Sequence, residues 1–264
     1  IGWCGYPLDK RIFPWNHANC GDLNLSGERR PQSYLRETLW SDAPVSHIVV
    51  TPPVPSFPLN PDKADWSVWD FPDVVDHWNF PGYEGKKMTV SVYSNCEQVE
   101  LFLNGESLGK QENTADKKNT LVWEVPYAHG ILKAVSYNKG GEVGTATLES
   151  AGKVEKIRLS ADRTEIVADG NDLSYITLEL VDSKGIRNQL AEELVEFSIE
   201  GDATIEGVGN ANPMSIESFV ANSRKTWRGS NLLVVRSGKS SGRIIVTAKV
   251  KALPVASITI TQKK

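Results

Sequence analysis

From Lys87 to the C-terminus the apolar side chains recur at every second residue, and this period constrains the chain more than any other feature. Met88, Val90 and Val92 point one way; Val99, Leu101 and Leu103 alternate with Glu100 and Phe102; Leu121, Trp123 and Val125 alternate again. A period of two places successive side chains on opposite faces of a strand, and a helix cannot bury such a set on one side. Asn104-Gly105 follows the second run and predicts a two-residue hairpin tip, because a type I′ turn needs positive φ at both central positions. Leu132, Ala134 and Ser136 lead to the turn Asn138–Gly141, and Val143–Leu148 returns. Short strands at this spacing predict a β-sandwich.

A second set begins after Ser150-Ala151-Gly152. Ile157, Leu159 and Ala161, then Ile176, Leu178 and Leu180, then Val195, Phe197 and Ile199 alternate in turn. Asp182–Gly185 reads as a turn, Ala203–Glu206 leads into a loop over Gly207–Pro213, and Leu232–Val235, Ile244–Val250 and Ile258–Ile260 complete about seven strands. The predicted organisation is therefore residues 1–43, a sandwich over 44–150 and a second sandwich over 151–264.

The chain ahead of the first sandwich has a different character. Residues 1–20 set Trp3, Tyr6, Phe13 and Trp15 among Gly and Pro without a period, which is loop composition. Asp22–Leu25 reads as a brief extended segment turned by Ser26-Gly27, and Pro31 stands where a first helical residue would. Tyr34, Leu35, Leu39 and Trp40 then form one apolar stripe of a short helix over 32–40. Ser46–Thr51 is a β-rich run, and the prolines at 52, 53, 55, 58 and 61 make a stiff connection. Trp66, Trp69, Phe71, Trp78, Phe80 and Tyr83 then cluster; they read either as a stacking platform for sugars or as a core plug. His77 beside them reads as a hydrogen-bonded structural residue.

Charge and motifs narrow the function. A net charge of −4 argues against nucleic acid or an anionic membrane as partner, since both require a basic stripe. Cys4, Cys20 and Cys96 have no metal-ligand spacing, and an odd count closes no disulfide framework. Asp169–Asp172 lacks the further spaced carboxylates of a calcium loop, and Gly207–Pro213 lacks the Lys and the following helix of a phosphate loop. No metal site and no cofactor is expected.

Three stretches carry a resemblance. GDLNLSGERRPQSYLRETLW, residues 21–40, resembles the last strand–helix unit of the (β/α)8 barrel of glycoside hydrolase family 2, the β-galactosidase and β-glucuronidase family. HWNFPGYEGKKMTVSVYSNCEQVELFLNGESLGK is similar to the immunoglobulin-like domain that follows that barrel. ADGNDLSYITLELVD, GVGNANPMSIESF and WRGSNLLVVRS resemble the C-terminal, invasin-type immunoglobulin-like domain of the same enzymes. The resemblance implies a mostly β chain, two immunoglobulin-like sandwiches preceded by a barrel remnant. It implies a retaining hydrolase, most often of β-galactosides, whose acid/base is the Glu of an Asn-Glu pair and whose nucleophile is a second Glu. The chain holds no Asn-Glu dipeptide, and Glu28 and Glu37 match neither motif, so no catalytic residue is expected in it.

For Trp15, His17 and Asn19 the resemblance leaves two readings. They rim a sugar site on the barrel's active face, by stacking and hydrogen bonding, or they pack the loop onto the barrel. The implied partners are a β-galactoside or related oligosaccharide bound through the barrel, that catalytic barrel itself, and a second copy of the chain. A bacterial polysaccharide-degrading parent would work in the periplasm or outside the cell. The reading from another class is a stand-alone carbohydrate-binding or adhesin-like module.

Overall fold

The computed structural model describes Pro14, residues 21–56 and residues 72–264. The chain divides into two compact units that part between Ser150 and Ala151, and the described residues are mostly β.

In the first unit Asp22–Arg30 folds back on itself as a small hairpin. Leu23 bridges Arg29, and the Arg30 N–H donates to the Asp22 carbonyl at 2.8 Å. Asn24 turns it, its Oδ1 accepting from the Ser26 and Glu28 N–H groups, while Gly27 supplies a φ of +79°. Helix α1, Ser33–Trp40, follows. It starts two residues later than Pro31 predicts, because Pro31 and Gln32 are spent on an i→i+3 turn: the Tyr34 and Leu35 N–H groups donate to their carbonyls at 3.3 Å.

Among the described residues seven strands make the sandwich: β1 Ser46–Val50, β2 Lys87–Ser94, β3 Gln98–Leu103, β4 Glu106–Glu112, β5 Thr120–Pro126, β6 Ile131–Asn138 and β7 Gly141–Glu149. They form the antiparallel sheets β1-β2-β5 and β4-β3-β6-β7. Met88, Val90, Val92, Val99, Leu101, Leu121, Val125, Leu132 and Ala134 fill the space between them, so the period-two sets face inward as the sequence requires. Asn104 and Gly105, at φ of +51° and +89°, are the hairpin tip between β3 and β4, with Leu103 paired to Glu106.

Trp78 and Phe80 belong to this core. Trp78 is fully buried, meets Phe80 and Tyr127 edge-on at 5.9 and 4.9 Å, and donates its indole N–H to the Ala128 carbonyl at 2.8 Å. For these two residues the plug reading holds, because no ring face remains for a sugar. His77 lies beside them, 4.9 Å from the Phe80 ring, and its Nδ1 accepts from the Asn79 N–H. Trp66, Trp69 and Phe71 lie outside the described residues.

The second unit runs through β8 Lys156–Ala161, β9 Glu165–Val167, β10 Leu173–Val181, β11 Leu194–Glu200, β12 Ala203–Gly209, β13 Ser223–Lys225, β14 Ser230–Ser237, β15 Gly242–Val250 and β16 Ala256–Lys263. Its sheets are β12-β14-β10-β8 and β13-β11-β15-β16-β9, antiparallel except for β9 on β16. Ile176, Leu178, Leu180, Phe197, Leu233, Val235, Ile244 and Val246 form the core. The predicted Gly207–Pro213 loop is shorter than its glycines suggest. Gly207–Gly209 stay paired to β14 beyond a bulge after Ile205, and glycine in a strand often marks such a bulge.

Candidate functional site

Trp15, His17 and Asn19 lie outside the described residues. The polar cluster nearest to them in sequence is built where α1 docks on β1 and β2. Tyr34 and Leu35 pack on Val49, Val74 and Tyr93. Tyr34 stacks flat on His47, with centroids 3.5 Å apart and rings 12° from parallel. The Arg29 guanidinium lies 3.9 Å from the Tyr34 ring centre, so a cation, a phenol and an imidazole form one column. Arg29 also pairs with Glu37 at 2.7 Å, and Arg36 reaches both oxygens of Asp22 at 2.9 Å. Each of these ion pairs is well exposed and contributes about 0–1 kcal/mol.

His47 is the enclosed member of the column. Its Nε2 is shut off from solvent and has no hydrogen-bond partner. Burial lowers its pKa to about 4, with Asp76 and Glu37 acting upward and Arg29 downward. An imidazole whose Nε2 is buried without a partner is held neutral, since the charged form would lose its hydration there uncompensated. The sequence offers no signal for this: Tyr34 and His47 meet only through the docking of the helix.

Polar clamps complete the docking. Asn119 donates to Thr38 Oγ1 at 3.0 Å, and Asn95 donates to the carbonyls of Ser41 and Ala43 at 3.0 and 2.9 Å while accepting from the Val45 N–H. The predicted apolar stripe is only half used. Leu39 and Trp40 are 66% and 85% exposed, and the residues buried on α1 are Ser33 and Thr38. The arrangement fastens a helix. Of the three acids on α1 and the hairpin, Glu37 and Asp22 are tied to arginines and Glu28 accepts from the Asn24 amide at 3.1 Å, and nothing among the described residues here poises one carboxyl to give a proton while another attacks.

The other loops weighed from the sequence are occupied by their own backbone. Asp169 accepts from the N–H groups of Asn171 and Asp172, which hold its carboxyl below the usual range. Asp172 accepts from the Val167 N–H and from Arg163. In β13, Arg224 is buried and donates to the carbonyls of Val208, Glu217 and Ser218 and to Ser215 Oγ, pinning the loop after β12. No helix among the described residues is long and apolar enough to cross a membrane.

Comparison with known proteins settles the kinship of these units. Residues 157–259 match the family model "Glycoside hydrolase family 2 C-terminal domain 5", and residues 85–144 match a domain of unknown function, DUF4982. A crystal structure of a family 2 member from Bacteroides cellulosilyticus superposes on 93% of the chain with a TM-score of 0.88 and 95% identity. The chain belongs to the C-terminal region of glycoside hydrolase family 2. This family 2 segment is also 30% identical over 96% of its length to a β-galactosidase of Bacteroides ovatus. It superposes on a β-glycosidase from Bacteroides vulgatus over 94% of its length, with a TM-score of 0.79 and 26% identity. The segment spans 26% of the B. ovatus protein and 32% of the B. cellulosilyticus chain.

Proposed function

We propose that the segment is the accessory β-sandwich region of a retaining β-galactosidase that removes terminal β-galactosyl groups from oligosaccharides. In this reading the two sandwiches brace the catalytic barrel, and Trp15, His17 and Asn19 rim its sugar site. The observation that carries the bracing role is the docking of Asp22–Trp40. A hairpin and helix resembling the close of a barrel are clamped to a sandwich by Asn95, Asn119 and the Tyr34–His47 stack. The galactoside is favoured because the B. ovatus β-galactosidase matches over 96% of the chain at 30% identity. The chemistry resides in the barrel: one carboxyl protonates the leaving oxygen while a carboxylate attacks the anomeric carbon, and water then releases the sugar.

The test compares equal molar amounts of the 264-residue chain and of the chain joined to a complete barrel. Nitrophenyl β-galactoside is the substrate, with β-glucoside, β-glucuronide and β-mannoside as controls. The chain alone is expected to stay at the buffer blank and the longer protein to prefer the galactoside. Turnover by the chain alone that survives repurification and is lost on mutating one of its own carboxylates would overturn the accessory role. Preference of the longer protein for the glucuronide would overturn the choice of sugar.

A further inference from the structure

The outward face of the sheet β4-β3-β6-β7 carries a depression of about 530 Å3, lined by Phe102, Asn104, Gly105, Ile131, Lys133 and Val135. Sites for small ligands span roughly 300–1,000 Å3 and combine an apolar floor with a few placed polar groups. Leu101, Leu103, Leu132 and Ala134 face the core, so the alternation sends Phe102, Lys133 and Val135 to the opposite side, which on a sandwich is ordinarily polar. Register sets Phe102 beside Lys133 and Glu100 beside Val135. Val135 is itself buried on that face, at 5% exposed, which leaves the half-buried Phe102 and the exposed Ile131 as the apolar side chains a ligand can reach.

The walls are fixed. The pairing of β3 with β4 shifts between Glu100 and Phe102, and Gly109 opposite takes a φ of +100°, so β4 bends there. Asn104 is held at the hairpin tip, its Oδ1 accepting from the Ile131 N–H at 2.8 Å and its Nδ2 donating to the His129 carbonyl at 3.2 Å. An amide has two acceptor positions and two donors, so one of each remains for a ligand. The charges on this face are unequal. Lys110 is committed to the Tyr137 ring at 3.5 Å and to Glu100 at 3.9 Å, whereas Lys133 is exposed and has no partner among the described residues.

A ligand matching these groups presents a flat C–H face to Phe102 and Ile131, hydroxyls to Asn104 and an anion to Lys133. A carboxylated pyranose has all three. We propose that this depression binds a uronic-acid residue of a glycan, as a non-catalytic site contained within this chain. The site stands or falls apart from the glycosidase reading, because binding is measured on the chain without a barrel.

The test titrates the 264-residue chain with a methyl β-glucuronide and, separately, with the matching neutral methyl β-glucoside, followed by amide NMR shifts. Saturable shifts centred on Phe102, Ile131 and Lys133 are expected, with the uronide about fivefold tighter, the upper range for an exposed ion pair. Lys133→Gln should bring the uronide to the affinity of the neutral sugar. Phe102→Ala should abolish both, and Phe102→Tyr, which keeps the stacking surface and guards against a folding defect, should retain both. No saturable uronide shifts at these residues, equal affinities in the unaltered chain, or indifference to both Lys133→Gln and Phe102→Ala would each overturn the proposal.

Discussion

Gly130, between β5 and β6, tests whether the hairpin tip is held by a designed close approach. Its φ is +142°, and a Cβ built on it would stand 1.9 Å from Asn104 Oδ1 and 2.6 Å from Cγ. Asn104 cannot retreat freely, because that oxygen accepts from the Ile131 N–H and the amide nitrogen donates to the His129 carbonyl. Gly130→Ala therefore forces two losses. The backbone enters a region that residues with a Cβ avoid, at about 1–3 kcal/mol, and the two Asn104 bonds break at about 1 kcal/mol each. The expected total is about 3–5 kcal/mol for unfolding of the first unit, read by urea denaturation. A double-mutant cycle separates the parts. In an Asn104→Ala background the bonds are already gone, so Gly130→Ala should cost only its backbone strain, with a coupling of about 2 kcal/mol, well outside the roughly 0.5 kcal/mol scatter of independent sites. Costs that add within that scatter would refute the argument, since the clash would then have relaxed without touching the Asn104 bonds.

Two further perturbations probe the buried polar groups. His47 titrates near 6.5 when unfolded and about 4 when folded. The unfolded chain thus binds the extra proton first, and stability complete above pH 6.5 should decline as pH falls toward 4, by about 3 kcal/mol at most; His47→Phe, which keeps a ring against Tyr34, should remove that part of the slope, and an unchanged slope in urea titrations at pH 4.5 and 7 would count against it. Arg224→Met should leave the carbonyls of Val208, Glu217 and Ser218 without their donor, costing the second unit about 3 kcal/mol and exposing Ser215–Val220 to protease; protection equal to the unaltered chain would contradict the pinning role.

The strands were legible because burial between two sheets leaves a period of two, and each inward set named from the sequence lies in one of the two cores. The exceptions have physical reasons. β9 and β13 have three residues each, too few to show a period. β4 reads ESLGKQE and, on the edge of its sheet, buries almost nothing. The stripe on α1 misled because the face that meets the sandwich runs through Tyr34, Leu35 and Thr38 and leaves Leu39 and Trp40 outside. Thr38 takes the buried place, its hydroxyl donating to the Leu35 carbonyl at 2.6 Å, so a polar residue hides in the contact and two apolar ones stay outside.

The candidate sites were legible to different degrees. Tyr34 and His47 are thirteen positions apart and meet through tertiary docking, so no local pattern could pair them. Phe102 and Val135 are another matter. Each is apolar where its strand's alternation asks for a polar residue, between Leu101 and Leu103 in one case and between Ala134 and Ser136 in the other. One such violation is a packing accident; two that fall on neighbouring strands, on the same outward face, beside a lysine with no ion-pair partner among the described residues, form a surface with chemical character. Where the core's own rule is broken on two neighbouring strands, burial between the sheets cannot be the reason: Val135 is covered on its own outward face, and Phe102 is left half-buried beside it, with part of its ring open to contact.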